Sequence, residues 1–493
     1  MRNSKRLRTR AVWRYTWFIL FCVGAWSCGV SRQEVDLAKE DALNTVLGLV
    51  QDGELDGALV AEAVTVLDGL DGANVQSAFL TLLGHPDEIV VLRAVEALGR
   101  HNGPGVVDAL RGVFEKTESA FVKVEVAAAL ERLNTETMSP WLAETLGSGR
   151  MSMVRSKAAA AFGQLGNASA VPALRRAFGE DPDPVVRSSA ALALARLADL
   201  QSLPAIADTL LKTSQLSTSL VMVEALEEFG TAEAIDHLET VAKQTTWQHS
   251  LRIRCLESLG GLSARTIGVF LKEQLLEEGH PMNRLLAVDG LGWIQDSTAV
   301  ELLRSAFYGP ENQPLRLSAA WSLARLGHGF DISEELEKDL KSMHRPFRRR
   351  AAEILGIIAD ERRIPALRDA FSQNREFSVR LAVVQALGKI STAESIEALV
   401  RAFHKDTSLE IRESIIDALG KFGLREATEA LNDILAQNEE ASLQAAALRG
   451  LAQSGDLKQL KTLRTFLTNA EPGLRLEAAR GIFDLARTEI QHG

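Results

Sequence analysis

The sequence predicts an all-α fold, a right-handed α-solenoid (superhelix) of about 13–14 stacked two-helix repeats. Three observations predict it: a segment that recurs at a fixed interval, an apolar stripe at helical spacing inside each copy, and a shorter helical stretch between copies. The segment DPDPVVRSSAALALARL, from Asp181 to Leu197, returns in related form at Gln313 to Leu326, at Phe377 to Ile390 and at Leu409 to Phe422.

The recurring segment keeps a period of 32 residues over thirteen copies. Each copy has a large apolar residue near its end, called here the anchor, and a degenerate earlier copy ends near Leu67. The steps between anchors are all 32 residues, except for 33 before Leu259 and 31 before Ile482. Chance does not keep such a period, so each copy is a structural unit. The anchors are Leu98, Leu130, Phe162, Leu194, Leu226, Leu259, Leu291, Leu323, Leu355, Leu387, Leu419, Leu451 and Ile482.

The residues around each anchor describe one side of an α-helix. Positions eight and four before the anchor and three after it are mostly apolar, and these offsets fall on a single helical stripe. The residue just before the anchor is usually Ala, Gly or Ser, which lets a neighbouring helix approach closely. A first helix precedes this second helix, often with Pro near its start, as in Val171 to Phe178 and Ile364 to Phe371. Neither helix can bury its stripe alone, so the pairs must stack, which predicts a solenoid over residues 36–493.

Residues 1–27 are predicted to form a lipoprotein-like signal peptide. All the charged residues before Ser27 are basic, and the apolar run from Trp17 to Trp26 follows them. That run is about half the length of a membrane span, which suits the apolar region of a signal peptide.

Cys28 is predicted to be the lipidated residue. It follows the small residues Ala25 and Ser27, which a signal peptidase accepts, and the stretch resembles a lipobox with Ala25 in place of the usual Leu. Residues 28–35 would then be a short tether. Because Gly29 gives no Asp-type retention signal, we expect a lipoprotein of the cell envelope on the periplasmic side, anchored in the outer membrane. The alternatives are simple cleavage before Cys28, a retained N-terminal anchor, or a cytoplasmic protein.

The charge balance argues against nucleic acid as a partner. The formal net charge is −10, and removing the six basic residues before Ser27 leaves 49 basic against 65 acidic residues. Binding to phosphate backbones needs clustered Lys and Arg. We therefore expect another protein or peptide as the partner, and a membrane only through the lipid anchor.

An arginine stands seven residues before most anchors. A cation at the start of a helix opposes the helix dipole, so it needs compensating partners. The column predicts a structural ladder from Arg to turn carbonyls and acids between repeats, because it follows the repeat; an anion-binding stripe is the alternative. The ladder residues are Arg155, Arg187, Arg252, Arg284, Arg316, Arg348, Arg380 and Arg412, with Arg475 in the last copy.

The segment DPDPVVRSSAALALARL…LPAIADTL resembles the short HEAT-like repeat of the phycobilin (PBS) lyase type, which is found in many bacterial scaffolding proteins. The resemblance covers almost the whole chain after Cys28 and implies a solenoid whose second helices line an inner, concave wall. It implies no particular activity. The Asp of the second Asp-Pro pair is kept at Asp87 and Asp183 and replaced elsewhere, so any contact that it makes between turns is incomplete. The replacements are His280, Asn312, His344 and Glu376.

On that inner wall, the positions two before and two after the anchors would form an acidic groove. Trp293 and Trp321 would lie there in adjacent repeats, and an exposed Trp pair is costly unless it binds something. The alternative is that one or both indoles fold back over neighbouring helices. The predicted partner-binding residues are Trp293, Trp321, Arg325, Glu224, Glu257, Asp289 and Glu353.

No cofactor, metal or catalytic residue is predicted. His280 and His344 share a turn position but lie two repeats apart, roughly 20 Å, whereas metal–ligand bonds are about 2 Å long. No His is followed by Glu, which counts against the HEAT-like deoxyhypusine hydroxylases that hold iron with His-Glu pairs. No GxSxG, P-loop or Rossmann glycine motif occurs.

The predicted function is a non-enzymatic scaffold of the bacterial cell envelope that binds a protein or peptide along its concave face. One alternative is a lyase-like or accessory protein that handles a prosthetic group, and another is a cytoplasmic adaptor.

Overall fold

The computed structural model describes residues 30–492, except 52–55, 69, 71, 102, 134–137, 245–247, 263–265, 277–280, 310–311 and 438–439, and describes side chains as far as residue 487. The predicted signal peptide, Cys28 and His280 lie outside the described residues. Every regular element in the described part is helical, which confirms the all-α prediction. None of the helices found there is long and apolar enough to cross a membrane.

The chain folds into two compact units. The continuous unit runs from Asp71 to Leu336, and the split unit combines the residues up to Leu70 with those from Glu337 onward. The sequence does not predict this division, because the repeat continues through both boundaries without a change of period.

The continuous unit contains sixteen complete α-helices in its described residues, α3 to α18. They are α3 (Ala73–Leu82), α4 (Glu88–Leu98), α5 (Val106–Lys116), α6 (Ala120–Arg132), α7 (Ser139–Ser148), α8 (Ser152–Leu165), α9 (Val171–Glu180), α10 (Pro184–Arg196), α11 (Leu203–Lys212), α12 (Leu216–Phe229), α13 (Ala232–Lys243), α14 (His249–Gly261), α15 (Gly268–Leu276), α16 (Pro281–Trp293), α17 (Val300–Tyr308) and α18 (Gln313–Arg325).

The split unit contains α1, α2 and the last helices of the chain, and α19 includes the boundary between the two units. These helices are α1 (Arg32–Gln51), α2 (Gly57–Leu67), α19 (Ser333–Asp339), α20 (Arg345–Ile358), α21 (Ile364–Gln373), α22 (Phe377–Ile390), α23 (Ala393–Lys405), α24 (Leu409–Gly420), α25 (Arg425–Gln437), α26 (Ala441–Gln453), α27 (Leu460–Phe466) and α28 (Pro472–His492).

The helix pairs follow the predicted repeat. Each even-numbered helix from α4 to α28 carries one anchor, and each is the second helix of its repeat. All thirteen anchors are at most 1% exposed, and the residues four positions before them are all 0% exposed. The apolar stripe therefore forms the core, as the spacing predicts.

Second helices of adjacent repeats touch at small residues. A Cβ atom on Gly163 of α8 would lie 2.9 Å from the Cα atom of Ala193 on α10, and one on Gly356 would lie 2.7 Å from the Cα atom of Ala386. Ala193 and Ala386 stand just before their anchors, the position at which the sequence predicts a close approach. Gly163 and Gly356 follow their own anchors, so close packing uses a small residue on both helices.

Inside the split unit, the first helix packs against the last one. Val35, Ala38 and Ala42 of α1 are buried on the side that packs on α28 and α27. Arg464 Nε lies 3.0 Å from Asp41 Oδ2, and Arg480 Nη2 lies 2.8 Å from Glu62 Oε1. Because α1 begins at Arg32, it includes the second half of the predicted 28–35 tether.

The turn residue before each second helix acts as an N-cap where its side chain is short. Asp87 and Asp183 each accept a hydrogen bond from the backbone two residues later, both at 2.8 Å, and Asn312 accepts one from Leu315 N at 3.0 Å. The side chains of His344 and Glu376 make no such cap bond. The variable turn position thus caps helices unevenly along the chain.

Candidate protein-interaction surface

The arginines seven residues before the anchors point into the turns. Arg155 donates from Nη1 to the Gly149 carbonyl at 2.8 Å and binds Asp181 of the next repeat at 2.7 and 2.9 Å. Arg155 also holds the pKa of the Asp181 carboxyl below its usual value, through that hydrogen-bonded pair. Arg187 donates to the Asp181 carbonyl at 2.7 Å, so one turn receives arginines from two repeats.

The other arginines of the column have similar surroundings. Arg252 donates to the Ala242 carbonyl at 2.9 Å and to Asn283 Oδ1 at 2.8 Å. Each of four further members contacts a turn carbonyl, an acid or an aromatic ring: Arg284 (Leu275 carbonyl, 3.3 Å), Arg348 (Ser342 carbonyl, 2.8 Å), Arg380 (Asp406, 2.7 Å) and Arg412 (Phe403 ring, 4.3 Å). Arg316 lies 5.2 Å from the Phe307 ring. These guanidinium groups contact turn carbonyls, acidic side chains or aromatic rings of the chain itself, which favours a structural ladder over an anion-binding stripe.

Trp293, Trp321 and Arg325 form one cluster on α16 and α18. The two indole rings meet edge to face with centroids 5.0 Å apart and planes at 63°. The guanidinium carbon of Arg325 lies 4.3 Å from the Trp293 ring and 5.0 Å from the Trp321 ring. Arg325 Nε donates to the Gly292 carbonyl at 3.1 Å, which fixes the guanidinium group between the two rings.

The cluster differs from the exposed Trp pair that the sequence predicts. Trp321 is only 7% exposed, whereas Trp293 and Arg325 are half-buried. Aromatic edge-to-face packing and the nearby cation favour folding the Trp321 indole inward, the alternative reading of this pair. The outer surface of the cluster therefore consists of Trp293 and Arg325.

Acidic residues of the column two before the anchor precede this cluster on the second helices of the continuous unit. Glu224 on α12 is exposed, and Glu257 on α14 and Asp289 on α16 are half-buried on the same column. Burial lowers the pKa of Arg325 below its ordinary value, and the negative charge of Glu257 opposes that change. Glu257 is thus close enough to Arg325 to interact electrostatically with it.

Glu353 belongs to a different part of the molecule. It lies on α20 in the split unit, where Arg349 and Arg350 pair with its carboxylate at 3.3 and 3.4 Å. Six of the seven predicted partner-binding residues therefore share the continuous unit, and the seventh has cationic partners of its own.

A basic column on the same face was missed by the sequence reasoning. Arg132 and Arg196 stand two residues after their anchors, at the ends of α6 and α10, and Arg100 has the same offset just beyond the end of α4; all three are exposed. The column two after the anchor was considered only at Trp293 and Arg325. Following it through every copy would have shown that three of its first four members are arginines.

Among the described residues, no group of three or more His, Cys, Asp or Glu side chains is placed to hold a metal ion. Cys255 is 0% exposed, and burial raises the pKa of its thiol to about 12. The thiol is therefore protonated and shielded at neutral pH.

A protein-family comparison matches HEAT repeats over most of the chain. The matches cover residues 54–131, 114–195, 139–218, 180–260, 333–420, 369–452 and 402–483. No curated protein has a significantly similar sequence.

Several solved structures are similar in part. Yeast importin-beta (Kap95p) matches at 13% identity and TM-score 0.43, covering 94% of this chain and 80% of that chain. The CpcE–CpcF complex of phycocyanin lyase from Nostoc matches at 21% identity and TM-score 0.31, covering 52% and 94%. Human deoxyhypusine hydroxylase matches at 20% identity and TM-score 0.27, covering 53% and 98%. At these values, neither an activity nor a partner follows from the likeness.

Proposed function

Because the chain belongs to the HEAT repeat family, we propose that it is a non-enzymatic scaffold that binds another protein or peptide along its second helices. The observation that carries this proposal is the cluster of Trp293, Trp321 and Arg325, with Glu257 close by. Its outer residues offer a rigid aromatic surface and a partly desolvated cation, and Trp and Arg are enriched among the residues that dominate binding energy.

The acidic column defines the chemistry of the proposed partner. Glu224, Glu257 and Asp289 lie on three consecutive second helices, α12, α14 and α16, and lead toward Trp293. A segment that carries basic residues and one apolar or aromatic anchor would complement this surface. The acidic residues would speed and orient the encounter, while Trp293 would supply the buried contact.

We also propose that the protein acts in the bacterial cell envelope, anchored through Cys28 in the outer membrane. The sequence of residues 1–28 supports this location. Palmitate labelling of Cys28 and globomycin-sensitive processing in a bacterial host are the expected results. A Cys28→Ser protein that is labelled and processed like the wild type would contradict it.

Affinity capture from envelope fractions, with mass spectrometry of the bound proteins, tests the binding site. Trp293→Ala should lose the partner that the wild-type chain captures, and Glu224→Lys should weaken its capture. Trp141→Ala is the matched control, because Trp141 is also half-buried and meets an aromatic ring, Phe114, edge to face with centroids 5.0 Å apart. It lies on the first helix α7, away from the acidic column.

Circular dichroism and thermal unfolding should show that Trp293→Ala and Trp141→Ala remain folded. Identical captured proteins for the wild type and both Trp variants would refute the proposed site. A chromophore or metal that co-purifies with the wild-type chain and is lost with Trp293→Ala would replace the scaffold proposal with a prosthetic-group function.

A further inference from the structure

We propose that the second helices α4, α6, α8 and α10 bind an extended acidic peptide with an apolar residue at every third position. The inference rests on the proposed scaffold function and adds a second surface with a ligand class of its own. It depends on two parallel rows of residues, one apolar and one basic.

The apolar row lies at the start of the four helices. It consists of the residues nine before the anchors, Ile89, Phe121, Met153 and Val185. Ile89 and Met153 are 59% exposed and Val185 is 51% exposed, although large apolar side chains gain most from burial. Met151, beside this row, is 54% exposed and enlarges it.

The basic row lies on the same face at the other end of the helices, where Arg132 and Arg196 are the last residues of α6 and α10 and Arg100 follows the end of α4. Arg100, Arg132 and Arg196 stand eleven residues after Ile89, Phe121 and Val185. Eleven residues make about three helical turns, so the two rows share a face and lie about 16 Å apart along the helix axis. That separation is wide enough for one extended chain between the rows.

The strip between the rows carries short side chains on two of its four helices. The position two before the anchor is Glu96 on α4, Ala128 on α6, Ala160 on α8 and Leu192 on α10. Short side chains at two of these positions leave space over the helices, whereas the equivalent positions on α12, α14 and α16 carry Glu or Asp. A peptide can therefore approach α6 and α8 closely at Ala128 and Ala160, beside the ion pair of Glu125 and Lys157.

The charges on this face favour an acidic ligand. Its acids already have partners: Glu96 pairs with Arg93 at 3.1 Å and with Arg100 at 3.5 Å, and Glu125 pairs with Lys157 at 3.1 Å. The face thus carries two acids and five cations, in a chain whose net charge is −10. The cations are Arg93, Arg100, Arg132, Lys157 and Arg196. Such local inversion of charge attracts acidic segments and repels basic ones.

The spacing of the rows selects the conformation of the ligand. Stacked helices lie about 8–10 Å apart, and the apolar row supplies one contact per helix. A polyproline II chain has three residues per turn and rises about 3.1 Å per residue, so its residues i, i+3 and i+6 recur on one edge at about 9 Å. A β-strand repeats each face after about 6.6 Å and an α-helix after about 5.4 Å, and neither matches this interval.

Fluorescence anisotropy with labelled synthetic peptides tests the proposal on the full chain. The probe is a twelve-residue peptide of four Leu-Pro-Glu units, which favours polyproline II and places Leu at every third position. We expect saturable binding that weakens as salt is raised. A peptide of four Leu-Pro-Lys units and one of six Leu-Glu units are the controls for charge and spacing, and both should bind at least about tenfold more weakly.

Charge reversal locates the surface. The double variant Arg132→Glu with Arg196→Glu should weaken binding of the Leu-Pro-Glu probe by at least about tenfold, and Ile89→Ser with Val185→Ser should also weaken it. The matched control is Lys389→Glu with Lys421→Glu, because these exposed lysines occupy the same column but Ser378 and Glu410 replace the apolar row. That control should bind the probe like the wild type.

Absence of binding by the Leu-Pro-Glu probe, equal binding of the Leu-Pro-Lys peptide, or an undiminished affinity of the Arg132→Glu, Arg196→Glu variant would each overturn the inference. The changed side chains are exposed, and circular dichroism checks that the variants stay folded. If the Leu-Pro-Glu probe does not bind but Trp293→Ala loses the captured partner, the proposed function stands and only this inference fails. If the probe binds and Trp293→Ala keeps the captured partner, only the Trp293 site is refuted.

Discussion

The ion pair between Arg155 and Asp181 should be among the strongest contacts between adjacent repeats. Its two hydrogen bonds measure 2.7 and 2.9 Å, and the side chains are only 12% and 6% exposed. Removing one partner of such a pair leaves the other charge buried without its main partner, which costs about 3 kcal/mol. Asp181→Ala and Arg155→Ala should each lower the free energy of unfolding by about that amount.

A double-mutant cycle isolates the interaction between the two side chains. Because each single change already breaks the pair, the double variant should lose much less than the sum of the two, with a coupling of about 2–3 kcal/mol. Lys212 and Asp208 supply the matched control, since their atoms are also 2.7 Å apart but the side chains are 74% and 55% exposed. That exposed pair should couple by no more than about 0.5 kcal/mol.

Urea unfolding followed by circular dichroism measures both cycles. Equal coupling energies for the buried and exposed pairs would refute the reasoning that burial sets the strength of this contact. The effect should also depend on pH, because Arg155 lowers the pKa of Asp181 in the folded protein from its ordinary value of 3.8. The stabilisation is therefore present above pH 3.8 and is lost as the pH falls through the lower folded-state pKa. The difference between wild type and Asp181→Ala should shrink over that range.

Two further changes test packing and burial. Gly163→Ala should lower the free energy of unfolding by about 1–3 kcal/mol, because its Cβ atom would lie 2.9 Å from the Cα atom of Ala193. The control Gly179→Ala meets no atom within 4 Å, so it should be neutral or stabilising. Urea titrations measure both changes. Cys255 should not react with a thiol reagent at pH 8 in the native protein, because its pKa is about 12 and it is 0% exposed. It should react fully in denaturant. Rapid labelling of the native chain would contradict this prediction.

Periodic features could be predicted from the sequence, and features without a period could not. The anchors and the alanines before them recur at a fixed interval, because every repeat solves the same packing problem with the same residue types. The contact between α1 and α27 joins Asp41 to Arg464 once only, and such a pair leaves no pattern in the sequence.

The candidate site was predicted in part for a related reason. Helical periodicity places Trp293, Trp321 and Arg325 on one face, and the structure brings them together. Helical periodicity does not reveal that the Trp321 indole turns inward, because the direction of a long side chain depends on the neighbours that surround it. The division into two units depends on how extensively adjacent helices pack. The sequence does not show it, because the period does not change at residues 70 or 336.

The packing of α1 on α27 and α28 has a consequence for synthesis on the ribosome. Asp41 and Arg464 are 423 residues apart, and at 5–20 residues per second the ribosome takes about 20–80 s to make the intervening chain. During that interval, Val35, Ala38 and Ala42 lack the surface that covers them in the finished protein. A nascent chain stalled before Leu460 should therefore bind chaperones and be cut by proteases near α1, although its continuous unit has already left the exit tunnel.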